Sequence, residues 1–301
     1  MVNSEIKVGV GNVEKNIVNR MIKYYANPFI KWAGGKRQII SELLKNIPKN
    51  FNNYFEPFLG GGALFFELYN NELLKNKQVY LSDINEQLIN TYKIIQQFPY
   101  ELIEELQKFE DKHCKEFYYE IRCMDRKSNF HELNDIIKAA RFIYLNKTCF
   151  NGLYRVNKKG YFNVPIGNYK KPKILNKENI LNVSKALQNV IILNIHYKKI
   201  LKYIRKGDFI YFDPPYFPIN NTSNFISYTK DSFLETEQLE LFKFVQKLNN
   251  KQCFILESNS DTNFIKNLYN TFKIKEILAN RTINSKITKR GRITELLIAN
   301  Y

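Results

Sequence analysis

Residues 211–216 read YFDPPY and end the apolar run Phe209-Ile210-Tyr211-Phe212. The Asp213 carboxylate accepts hydrogen bonds, as does the Pro214 carbonyl, whose residue has no N–H. Two adjacent acceptors on a stiff backbone can take both hydrogens of one amino group. That draws the nitrogen lone pair out of conjugation with an attached ring and leaves it nucleophilic. Pro215 stiffens the next peptide, and Tyr216 offers a flat face for the ring. The fitting target is an exocyclic amine on a heterocycle, such as adenine N6 or cytosine N4. A bare D-P-P-Y is also a plain turn. Its place after a strand, where open α/β sheets bind ligands, favours the chemical reading.

A second constellation lies upstream, in Glu56-Pro57-Phe58-Leu59-Gly60-Gly61-Gly62. Glycines after a strand let a ligand approach the backbone closely. The pattern is neither G-x-G-x-x-G nor a GK[ST] phosphate loop. Glu56 suits a positively charged ligand, since a carboxylate attracts a sulfonium and repels a pyrophosphate. Asp83 ends the next strand about twenty residues on, where an acid can hold ribose hydroxyls.

A third feature is the stretch 146–177, with eight basic residues, no acidic ones and five aromatics (Phe150, Tyr154, Tyr161, Phe162, Tyr169). Cations interleaved with rings and Asn-Gly turns suit phosphate neutralisation together with contacts to bases. A second basic run follows at Arg281, Lys286, Lys289, Arg290 and Arg292. The whole chain carries 46 basic against 29 acidic residues, a formal charge of +17, which favours a polyanionic partner. A lysine-rich composition alone would spread that charge evenly, and here it is clustered.

The elements that must position these residues follow a strand–turn–helix–strand order from residue 54 to 85, the start of a doubly wound sheet. Further strands are expected at 189–195, 208–213, 252–259 and 294–301, with a helix over 236–248. Residues from about 86 to 145 have helical spacing. The sheet is thus interrupted by a helical and basic insertion of roughly ninety residues. The 301 residues, 44% apolar and 15% aromatic, suffice for a sizeable core. Cys114, Cys123, Cys149 and Cys253 form no C-x-x-C pair, and His113, His131 and His196 are scattered, so no metal site is expected. Neither a secretory signal nor a membrane-spanning run is evident, which points to a soluble, cytoplasmic protein.

Taken together, KWAGGK (31–36), EPFLGGGALFF (56–66), LSDIN with Asp83, FNGLYRVN (150–157), FNVPIGNYKKP (162–172) and YFDPPY (211–216) resemble the Dam family of DNA adenine-N6 methyltransferases. The sequence is most similar to the GATC methylases of restriction–modification systems in Gram-positive bacteria. The order is cofactor turn, recognition insert, then D-P-P-Y, the family's alpha arrangement. The resemblance runs from about residue 28 to the C-terminus and leaves 1–27 as an N-terminal extension.

The resemblance implies an α/β fold, a Rossmann-like S-adenosylmethionine-dependent methyltransferase sheet with an inserted helical and β-hairpin target-recognition domain. Residues 28–90 and 180–301 would form the catalytic domain, and 91–179 the recognition domain with its hairpin at about 146–172. It implies cofactor contacts for Trp32, Ala33, Gly34, Lys36, Glu56, Phe58, Gly60, Gly62, Asp83 and Asp213. DNA contacts are implied for Lys31, Phe150, Asn151, Leu153, Arg155, Pro165 and Tyr169. Leu153 and Arg155 match positions that read bases, while Phe150 and Asn151 match those near the flipped adenine. Asp213, Pro214, Pro215 and Tyr216 would hold that adenine for methylation. Double-stranded DNA is the implied partner, with no membrane role; a cognate restriction endonuclease acting on the same site would be a functional partner. Relatives often carry an acid before the D-P-P-Y strand, near the adenine pocket, where this chain has Leu193-Asn194-Ile195-His196.

Overall fold

The computed structural model describes residues 25–32, 34–218, 233–280 and 292–301. Outside the described residues lie 1–24 of the N-terminal extension, Ala33 and the basic run Arg281–Arg290, as does the side chain of Arg292.

Among the described residues seven strands form one sheet: β1 (Tyr54–Glu56), β2 (Val79–Asp83), β3 (Val190–Asn194), β4 (Phe209–Phe212), β5 (Phe254–Ser260), β6 (Lys273–Asn280) and β7 (Arg292–Ala299). Their order is β3-β2-β1-β4-β5-β7-β6. The first five run parallel, and β7 is antiparallel to both β5 and β6. From β1 the chain moves outward to β2 and β3, then returns to β4 on the other side of β1. The strand order therefore reverses between β1 and β4, where such sheets open a crevice at their carboxyl ends. This is the Rossmann-like α/β sheet that the sequence leads one to expect.

Burial on both faces explains the near-continuous apolar strands. Phe209 and Tyr211 of β4 join Tyr54, Leu81 and Leu256 on one face. Ile210 and Phe212 join Phe55, Ile255, Leu296 and Ile298 on the other. The first face is covered by α1 (Ile40–Lys45), α2 (Ala63–Asn70) and α3 (Glu86–Gln97), and the second by α8 (Glu235–Asn250) and α9 (Asn263–Leu268). Each fully buried Phe or Leu contributes about 1.5–3 kcal/mol, so strand identity is set by tertiary burial more than by local propensity.

Strand β6 has no counterpart among the expected strands. Its sequence KIKEILAN puts Lys273, Lys275, Glu276 and Leu278 on the surface, with Ile277 buried. Charged edge strands block pairing with other chains, and the charge hides their apolar alternation from a sequence reading.

Between β2 and β3 run α4 (Pro99–Asp111), α5 (Lys115–Cys123), α6 (Asp135–Thr148) and α7 (Lys177–Ala186). Helix α3 runs through the expected domain boundary at residue 90, and α7 through that at 179. The basic stretch between α6 and α7 is a loose hairpin with antiparallel bridges at Cys149–Ile166 and Val156–Phe162. Buried side chains tie it down. Tyr118 donates to the Val164 carbonyl (2.9 Å), and Asp125 accepts from the Phe162 N–H (2.8 Å). Asp125 is itself held by buried Arg141 at 2.8 Å.

Candidate active site

Glu56, Asp83 and Asp213 stand at or just beyond the carboxyl ends of β1, β2 and β4, so parallel pairing brings all three to one edge of the sheet. Glu56 is 3% exposed and accepts from the Tyr54 hydroxyl at 2.7 Å. Burial pushes its carboxyl up to about 8, against the Tyr54 bond, and negative Asp213 adds to the rise. Burial thus favours the neutral acid at Glu56. Asp83 has its carboxyl raised by burial, opposed by hydrogen bonds from Asn85, Gly60 and Ile84 N–H groups.

Asp83 also anchors the glycine turn. Its Oδ2 accepts from the Gly60 N–H at 3.0 Å and its Oδ1 from the Asn85 N–H at 2.9 Å. Tyr92, buried on α3, donates to the Gly60 carbonyl at 3.1 Å. Gly60 has φ +46°, and a Cβ there would lie 2.7 Å from Trp32 Cδ1. Only glycine allows this indole edge against this backbone. Trp32 also stacks on Tyr154 of the hairpin, with centroids 5.7 Å apart. Gly62 precedes α2, and a Cβ there would meet the Tyr92 hydroxyl at 2.9 Å. The Phe58 ring turns away into an aromatic cluster with Tyr197, Phe212 and Phe233.

The D-P-P-Y motif is held from two sides, by β7 and α8. Tyr216 donates its hydroxyl to Glu295 of β7 at 2.8 Å. Gln238 of α8, fully buried, donates to the Pro215 carbonyl at 3.1 Å. Gln238 in turn accepts from Asn259, which also donates to Glu257, and Glu257 accepts from Tyr269. None of these supports carries a motif. Glu295, Gln238 and Asn259 read in the sequence as ordinary strand and helix residues.

Lys36 is 4% exposed and reaches into the same place. Its ammonium lies 2.8 Å from Asp213 Oδ1 and 2.7 Å from the Gly34 carbonyl, and 4.6 Å from the centre of the Tyr216 ring. Asp213 and Tyr216, two of the groups expected at a target amine, thus already hold a protein amine. Burial raises the Asp213 carboxyl to about 6, with the Lys36 cation pulling against the rise.

On the recognition side Phe150 is 46% exposed, and Asn151 sits in the left-handed region at φ +56°. An exposed aromatic beside a turned-out amide can occupy space in a base stack. Arg155 is exposed, with its Nε donating to Asn163 at 2.7 Å, which orients the guanidinium. Pro165 is exposed, and its carbonyl accepts from the Phe150 N–H at 2.9 Å. Lys31 extends over the Tyr169 ring at 5.0 Å, and Leu153 packs against the core.

One expectation is corrected. The position lacking an acid does not face the D-P-P-Y site, because β3 is separated from β4 by β2 and β1. Asn194 instead donates to the Asp83 and Ile84 carbonyls, at 3.0 and 3.1 Å, beside exposed Ile84. The missing carboxylate therefore bears on the Asp83 side of the cleft. The buried thiols stay out of the chemistry: burial pushes Cys149 up to about 12 and Cys253 to about 11.

An α/β sheet with an acid-anchored glycine turn and a D-P-P-Y strand end defines an amino-methyltransferase. Residues 32–283 match the family model for the D12 class N6 adenine-specific DNA methyltransferase. The chain is 46% identical to the Type II methyltransferase M.MjaIII of Methanocaldococcus jannaschii, over 91% of this chain and 99% of that protein. It is 40% identical to the Type II methyltransferase M1.LlaDCHI of Lactococcus lactis subsp. cremoris, over 96% and 98%. With the DNA adenine methylase of Escherichia coli K12 it shares 31% identity, over 89% and 93%. The chain belongs to the D12 class of N6 adenine-specific DNA methyltransferases.

Proposed function

We propose that this enzyme uses S-adenosylmethionine to methylate N6 of an adenine flipped out of duplex DNA, within GATC. The observation that carries the reading is the amine site itself: Asp213 and Tyr216, fixed by Glu295 and Gln238, already bind a nitrogen cation. The cleft suits the cofactor, because Asp83 has acceptor capacity left for ribose hydroxyls and Glu56 is a buried acid awaiting a cation. Trp32, Gly34, Glu56, Gly60, Gly62 and Asp83 would hold it, with Phe58 contributing through the turn backbone; Ala33 lies outside the described residues. When bound, S-adenosylmethionine supplies an electrophilic methyl group.

Flipping is required because N6 lies inside the stack, and it costs a few kcal/mol. Asp213 and the Pro214 carbonyl accept the two amine hydrogens, and Tyr216 supports the ring. The amine takes over the bond that Lys36 now makes to Asp213. Ionised Asp213 is the stronger acceptor, and protonation turns one of its oxygens into a donor, so activity belongs above a pH of about 6. GATC preference rests on the hairpin, where Arg155 offers the fork that binds guanine O6 and N7.

Sequencing that resolves methylated bases in DNA from an otherwise unmethylated host expressing the protein tests base, site and activity together. N6-methyladenine confined to GATC is expected. N4-methylcytosine, or no mark, would overturn the proposal.

A further inference from the structure

Asn146, the first residue of the basic stretch and outside the motifs that carry the resemblance, is 3% exposed and makes three bonds to two different parts of the cleft. Its Oδ1 accepts from the Lys31 N–H at 2.8 Å, and its amide nitrogen donates to the Lys31 carbonyl at 2.7 Å. The same nitrogen donates to the Gly152 carbonyl at 3.1 Å. Both amide hydrogens and the oxygen are thereby used. Lys31 opens the cofactor-side segment, and Gly152 lies in the turn that presents Phe150, Asn151 and Leu153.

Contacts continue in both directions. Gly152 has φ +64°, and a Cβ there would strike the Lys31 side chain at 2.6 Å, so the two segments touch directly. One helical turn before Asn146, Phe142 packs on Trp32 and Tyr154, with centroids 6.2 and 5.3 Å apart. Trp32 lies against Gly60, whose N–H is held by Asp83. The Asn85 side chain, next to the same acid, also interacts with the Tyr154 hydroxyl. Moving the Lys31 backbone breaks two bonds to Asn146, and moving the Gly152 turn breaks the third. A ligand that fixes one segment therefore holds the other.

We infer that Asn146 is a positioning residue that couples the two sites, so that DNA at the hairpin turn tightens cofactor binding at Trp32 and Gly60, and the reverse. The inference rests on the functional reading above. Coupling between two sites is reciprocal and typically 5- to 150-fold.

The test measures S-adenosylhomocysteine affinity by calorimetry, with and without a saturating GATC duplex, and duplex affinity with and without S-adenosylhomocysteine. Wild-type protein should show the same factor both ways, at least about 5-fold. In Asn146→Asp, lone pairs replace both donors facing the two carbonyls, and the factor should fall below about 2-fold while each ligand still binds alone. Asn146→Ser serves if the aspartate variant fails to fold, with thermal unfolding as the check. A merely structural role would weaken each binary complex and leave the factor intact, which would overturn the inference. So would two binding ligands without coupling in the wild type. Wild-type protein that binds neither probe would overturn the functional reading, and the inference with it.

Discussion

The D-P-P-Y floor and the hairpin are built in opposite ways. The floor extends a central strand and is braced by β7 and α8 through half-buried hydrogen bonds, with β5 holding Gln238 of α8 from behind. The hairpin has two isolated bridges, exposed tips, and attachments mainly through Tyr118, Asp125 and Asn146 beneath it. A transferring site must hold atoms to within fractions of an ångström, and rigid elements supply that. A reading surface must meet a groove with side chains free to reach base edges, and loops supply that. Damage to the floor should therefore remove turnover and spare binding. Damage to the hairpin should change which DNA is chosen.

The largest effect is expected from Asp213→Ala, which deletes one of the two proposed amine acceptors. Single-turnover methyl transfer should fall by about 10³-fold or more, as for other preorganised electrostatic groups, while DNA affinity by fluorescence anisotropy stays within a few-fold of wild type. Equal loss of both in a folded variant would contradict the division between floor and hairpin.

Glu295→Ala comes next. It frees the Tyr216 hydroxyl and should lower kcat about 10- to 100-fold, more than it alters KM for DNA, in steady-state kinetics. Arg155→Ala should act in the other region. It should cost about 1–3 kcal/mol of discrimination at one guanine of the site, read by competition between duplexes with single changes. Uniform weakening on every duplex would mean that Arg155 touches phosphate alone.

The smallest effects concern protons. Ionised Asp213 is the acceptor, so kcat/KM should drop tenfold per unit as pH falls below about 6. Lys36→Met removes the cation that lowers this carboxyl, so the acid limb should move to higher pH. Glu56 stands near 8 when no cation is beside it. A bound sulfonium or ammonium favours the carboxylate, so cofactor binding at pH 7.5 should release a proton. Calorimetry in buffers of different ionisation enthalpy should detect that release, and Glu56→Gln should abolish it.

The two regions also differed in what their sequences disclosed. Asp213, the Glu56–Gly62 turn and Asp83 were legible because strand ends in such sheets are fixed by apolar runs that punctuation residues terminate. The exposed residues of the hairpin were legible by charge and aromatic interleaving. Their supports were not. Glu295, Gln238 and Asn146 reach their partners only through long-range packing, across 79, 23 and 115 residues of sequence. Strand β6 was hidden because its edge is charged. Chain order misplaces Asn194, because it sets β3 just before β4, whereas the sheet places two strands between them.

The most direct test supplies purified enzyme with methyl-labelled S-adenosylmethionine and a synthetic GATC duplex, and identifies the labelled nucleoside by mass spectrometry. The account predicts label in N6-methyldeoxyadenosine alone, lost with Asp213→Ala under conditions where the duplex remains bound. Label in N4-methyldeoxycytidine, or undiminished transfer by the variant, would contradict it.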